Sequence, residues 1–154
     1  MSAERRWQKF TKPDGCGLIV DFADGCPLLL PGTPLQYLKR LHLQNRFWGD
    51  DVRLEGIQIK VPGARIVTTQ PDVKGEAPTP DFLNDYLCCE FGFRKLNIAP
   101  MGYYKSHSYI FWRFAMFDVH PANFVQVSPK VILPIDVIMM EFEGRELASL
   151  EAAL

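Results

Sequence analysis

"FDVHPANF" (residues 117–124) sets an acid, a histidine and an amide within six positions, bounded by two phenylalanines. Thirteen residues after Asn123, Asp136 stands inside the apolar run "LPIDVIM" (133–139). On this spacing Asp118 ends one strand-like segment, Asn123 follows a short loop, and Asp136 lies on a later strand. Its neighbours Ile135, Val137 and Ile138 imply that Asp136 is buried, and a buried carboxylate needs a partner or a cation. The bland alternative is a plain connection, with Asp118 capping a turn, Asn123 within it and Asp136 facing solvent.

Working outward, "KVILPIDVIMMEF" reads as one late strand and "SYIFWRFAMFDV" as the strand before it. The last segment, "GRELASLEAAL", is an amphipathic helix. Upstream, Thr79 and Pro80 cap a helix over "PDFLNDYLCCEF" that stops at Gly92. "PDVKGEAPTP" is a Pro/Gly linker and marks the boundary between two halves. Before it, "DVRLEGIQIKV" and "ARIVTTQ" form a hairpin around "PGA", with an apolar phase slip at Gly56 that predicts a bulge. Thr33 and Pro34 open a helix whose Leu35, Leu38, Leu41 and His42 share one face. "DGCPLLLPG" reads as a loop, and "ERRWQKFT" and "CGLIVDFADG" as early strands joined at the turn "KPDG". The class is α+β: an antiparallel N-terminal sheet with one helix, a hinge, and a small C-terminal half.

Composition bounds what such a fold is for. The 154 residues suit one domain, and 47% hydrophobic with 23% charged residues is globular usage. A formal net charge of −1 offers no attraction to nucleic acid or to an anionic membrane. No apolar run approaches the roughly 20 residues of a membrane helix. "MSAERRWQKF" is charged and lacks the apolar core of a signal peptide, so the chain is expected to stay in the cytoplasm. Cys16, Cys26, Cys88 and Cys89 form no C-x-x-C pair and read as reduced thiols. No G-x-S-x-G or other nucleophile motif accompanies His42, His107 and His120. The aromatic alternation of "YYKSHSYIFWRF" suits a core strand better than base stacking. Glu141, Glu143 and Glu146 read as a solvated face.

The run "DVHPAN…PID" resembles the catalytic loop and metal-binding segment of the protein-kinase-like superfamily. It is nearest in flavour to small atypical bacterial members, the aminoglycoside-phosphotransferase-like and "polyvalent" kinase-like proteins. That resemblance implies a compact, degenerate kinase-like fold: residues 1–70 as N-lobe, 71–80 as hinge and 81–154 as C-lobe. It makes Asp118 the catalytic base, and Asn123 and Asp136 the ligands of magnesium, a hard cation that takes oxygen donors. His120 would brace the loop. Lys9 would contact the phosphates of ATP, while the segment from Thr69 and Gln70 onward would hold adenine through backbone groups. The implied partners are a nucleotide and, for a non-catalytic variant, another protein, with no nucleic acid and no membrane.

Two features depart from the kinase pattern. No G-x-G-x-x-G precedes Lys9, and the helix from Pro34 to Trp48 contains no Asp or Glu to pair with a phosphate-binding lysine. Both remove positioning, which with electrostatics is nearly all that a protein contributes to phosphoryl transfer. The expectation is therefore a phosphotransferase of weak or absent activity, or a pseudokinase-like interaction or immunity-type module that keeps part of the site.

Overall fold

The computed structural model describes residues 5–12, 15–61 and 63–154. Pro13 and Asp14 of the "KPDG" turn and Pro62 of the "PGA" turn lie outside the described residues. The chain divides into two units, Met1–Ile19 with Leu30–Val73, and Val20–Leu29 with Lys74–Leu154. The chain passes from the first unit to the second between Val73 and Lys74, and residues 20–29 belong with the later residues.

In the first unit, β1 (Arg6–Phe10), β4 (Arg53–Lys60) and β5 (Gly63–Pro71) form an antiparallel sheet in the order β1-β5-β4. The register of β4 on β5 shifts between Leu54 and Gly56, where the sequence slips phase. Helix α1 (Pro34–Trp48) begins in a capping box: Gln36 N–H donates to Thr33 Oγ1, and Thr33 N–H to Gln36 Oε1. It ends at Gly49, whose φ of 62° is the left-handed cap that glycine adopts without strain.

The buried stripe of α1 is not the leucine face expected from its periodicity. Tyr37, Arg40, Gln44 and Trp48 are buried, whereas His42 is exposed and Leu35 is 62% exposed. Steps of three and four residues still define one helical face, but two of its members are polar. They are tolerated because they are hydrogen-bonded. Arg40 Nη1 donates to the Leu18 carbonyl (2.9 Å), and Gln44 Nε2 to Asp50 Oδ2 (2.7 Å). Gln70 Nε2 of β5 donates to the same Asp50 oxygen (2.7 Å), tying helix to sheet.

The expected loop at 24–32 is in fact a strand. β2 (Leu18–Ala23) and β3 (Cys26–Pro31) form a two-stranded ribbon. Asp24 and Gly25 turn it with φ of 50° and 78°, the paired left-handed conformation of a tight hairpin. Pro27 and Pro31 are accommodated because each strand of a ribbon has an outer edge that needs no donor.

The second unit is also antiparallel. β6 (Arg94–Leu96), β7 (His107–Phe111), β8 (Phe114–Val119) and β11 (Ile138–Glu141) form a sheet in the order β11-β8-β7-β6. β9 (Phe124–Ser128) and β10 (Val131–Pro134) make a separate hairpin. Each long segment read as a single strand is thus broken in two. Trp112 and Arg113 turn β7 into β8, with Trp112 at φ 58°. A bend over residues 135–137 separates β10 from β11. Helix α2 (Pro80–Asp85), capped by Thr79, continues as a π-helical turn over Tyr86–Glu90, and α3 (Gly144–Glu151) closes the chain. Ile110, Phe117, Ile138, Phe142 and Leu150 centre an apolar core. No helix among the described residues is long and apolar enough to cross a membrane.

Candidate functional site

Asp118 sits where β8 carries one residue too many for its neighbour. His107 faces Val119 and Tyr109 faces Met116, so Ser108 alone opposes Phe117 and Asp118. Bulges re-aim a side chain and often need a left-handed residue. Asp118 supplies it, at φ 56°, a conformation aspartate tolerates better than most residues. The geometry is held from several directions. Asp118 Oδ1 accepts the Tyr103 N–H (2.8 Å), and Oδ2 accepts from Asn123 Nδ2 (3.2 Å). The same Asn123 nitrogen donates to the Asp118 carbonyl (2.9 Å). A β-carbon at Gly102 would collide with the carboxylate, so the Met101–Tyr103 backbone can lie against it only because residue 102 is glycine.

The remaining groups complete a closed loop. Pro121–Asn123 is a single 3-10 turn, and Asn123 N–H donates to the His120 carbonyl (2.9 Å). Nε2 of His120 lies 3.8 Å from Asp118 Oδ1, too far for a hydrogen bond, while its ring packs on Tyr103 with centroids 4.7 Å apart. His120 therefore braces the loop by packing. The Tyr103 hydroxyl titrates above its ordinary value because of its hydrogen bond with Tyr104, whose own value that bond lowers.

Asp136 differs from expectation. It is exposed and lies in the bend after β10, not buried within a strand. Pro134 ends the β10 pairing opposite Phe124, and a bend follows it. Its segment nevertheless enters beside the loop, since Ile135 N–H donates to the Asn123 carbonyl (2.8 Å). Asp118 and Asn123 are thus in contact, and Asp136 follows one residue after the Asn123 partner.

Lys9, Thr69 and Gln70 all belong to the first unit. Lys9 is half-buried in β1 opposite Thr68. Thr69 lies in the central strand of its sheet, facing Gln8 on one side and Arg53 on the other. Its backbone is flanked by two ladders, unlike the open hinge backbone expected to hold adenine. Gln70 is buried, with its amide on Asp50.

Magnesium takes oxygen donors, and the ligands expected here were the Asn123 amide oxygen and the Asp136 carboxylate. Both Asp118 oxygens accept hydrogen bonds, and the Asn123 nitrogen is spent on Asp118, leaving its amide oxygen for a cation. Among the described residues no three of His, Cys, Asp or Glu are grouped to hold a metal. As arranged, Asp118 and Asn123 brace the loop through these hydrogen bonds.

Tyr103 and Gly102 carry part of this geometry and were not singled out in the sequence, where nothing in period or spacing links them to Asp118. No family model, curated protein or solved structure matches the chain.

Proposed function

We propose that the protein is a non-catalytic interaction module that binds an extended segment of another protein by strand addition to β4. The observation that carries this reading is β4 itself. It is an eight-residue edge strand, and every position is exposed or partly exposed. Leu54, Ile57 and Ile59 are 56%, 68% and 85% exposed, with Val61 at 99% just beyond. Ile57, Ile59 and Val61 alternate onto one face, so an incoming strand would gain both ladder hydrogen bonds and an apolar row. An edge of this length that a chain leaves uncovered is otherwise an aggregation hazard. The Asp118 loop supports the non-catalytic part, because a carboxylate whose two oxygens already accept from the Tyr103 N–H and the Asn123 amide is poorly placed to take a proton from an acceptor hydroxyl.

The test is selection of binders from a random peptide library, followed by amide hydrogen exchange. Slowed exchange along Arg53–Lys60 in the complexes is expected; binders that leave these amides unprotected would remove the reading.

A second reading keeps the kinase-like fold: an ATP- and magnesium-dependent phosphotransferase using Asp118, Asn123 and Asp136, with Lys9 on the phosphates. It is favoured by the Asp118–Asn123 contact and by the entry of the Asp136 segment beside Asn123. ATP at about 100 times its Kd would stabilise such a protein by about 2.7 kcal/mol, and only with magnesium present. Such a shift would restore this reading.

A further inference from the structure

The far end of β9 from the Asp118 loop opens on a cavity of about 300 Å³, lined by Phe82, Asp85, Tyr86, Cys89 and Glu90 with the β9–β10 turn residues Pro129 and Lys130. That volume is at the small end of ligand sites, which run from about 300 to 1,000 Å³. The helical lining residues recur at steps of three and four, so one stripe running from α2 into the π-helical turn forms the wall. π-Helical turns cost hydrogen-bond geometry and are found frequently at functional sites.

The wall combines two kinds of group. Phe82 and Tyr86 present adjacent rings with centroids 6.2 Å apart, and Tyr86 is backed by Phe91 at 5.3 Å. Asp85 and Glu90 add two carboxylates. Glu90 has no side-chain partner among the described residues, and Asp85 has only a long contact from Asn84 (3.4 Å). Lys130 supplies one opposing charge and likewise has no side-chain partner among the described residues. The formal lining charge is therefore −1, beside two aromatic faces.

We propose that this cavity binds a small organic ammonium ion, best a quaternary one. Its cationic head would lie against the Phe82 and Tyr86 rings and be neutralised by Asp85 and Glu90. Aromatic faces attract such cations through the ring quadrupole, and a quaternary head loses less hydration than a primary amine on entering. Lys130 opposes the ligand from the turn.

The probes are choline and its neutral isostere 3,3-dimethylbutan-1-ol, followed by amide chemical shifts of the full chain. Choline should shift the signals of residues 82–90 and 129–130 saturably, and the isostere should not. The paired change Asp85→Asn with Glu90→Gln should weaken choline by about tenfold, in line with losing an ion contact beside a desolvated ring. Lys130→Met should tighten it. Asp85, Glu90 and Lys130 are exposed, so the variant spectra should otherwise match the parent. Equal binding of the isostere, no saturable shift with choline, or weaker binding in Lys130→Met would each overturn the assignment.

Discussion

The first unit buries Arg40 and Gln44 of α1 with Thr68 and Gln70 of β5, beside Tyr37, Trp48 and Ile66. In the second unit the buried polar side chains among the described residues are Ser106 and Ser108, set among residues such as Phe117, Ile110, Met116 and Leu150. One interior thus joins two buried glutamine amides on the single acceptor Asp50, and the other rests on hydrocarbon contact. Hydrocarbon packing tolerates small changes in direction but not in volume, whereas a polar cluster tolerates changes in volume but not the loss of an acceptor. The two halves should therefore fail in different ways.

The largest effect is expected at Phe117, which is fully buried and packs edge-on against Phe142 at 6.0 Å. Phe117→Ala should cost about 3–5 kcal/mol in denaturant unfolding, and a conservative Phe117→Leu much less. A cost near zero would mean that the second core is not the packed hydrocarbon described. In the first unit Asp50→Ala removes one acceptor from two buried amides. It should cost about 1–3 kcal/mol in all, the penalty of a buried group losing its acceptor, while Asp50→Asn, which keeps an acceptor oxygen, should cost less. If the two substitutions were equivalent, the shared acceptor would not be what orders that interior.

A smaller effect concerns a phenol buried in the second core. Tyr109 is buried, its hydroxyl donates to Asn84 Oδ1 (3.1 Å), and burial, with Cys88 nearby, pushes its pKa up to about 12. The folded value lies above the unfolded one of about 10, so its contribution is fully present below pH ~10. That contribution is lost as pH rises through about 12. Tyr109→Phe should cost about 1 kcal/mol at neutral pH and flatten this alkaline loss. An unchanged alkaline limb in the variant would assign the loss to other groups.

The same contrast explains what could be read in the sequence. Apolar alternation located the segments that hold β7–β8 and β10–β11 but not β6 or β9, and the phase slip marked the Gly56 bulge. In α1 the leucines pointed to the wrong face, because a buried arginine and glutamine are visible only once their acceptors, the Leu18 carbonyl and Asp50, are in place. The β2–β3 ribbon was signalled by Asp24–Gly25, but the prolines on the following strand argued for a loop. Asp136 appeared buried because apolar neighbours were counted, whereas Pro134 was the physical cue that the strand ends there. The Asp118–Asn123 pairing was legible from spacing; the Tyr103 and Gly102 contacts that close it come from a different loop and left no local trace.

The most direct test is equilibrium unfolding of Asp118→Ala beside the parent chain, each with and without magnesium and ATP. A carboxylate that braces the loop through Tyr103 and Asn123 should be missed by the fold. The variant should lose about 1 kcal/mol, since the Tyr103 N–H loses its acceptor while Asn123 keeps the residue-118 carbonyl, and nucleotide should stabilise neither protein. A variant as stable as the parent, together with magnesium-dependent stabilisation of the parent by ATP, would contradict the structural role given to Asp118.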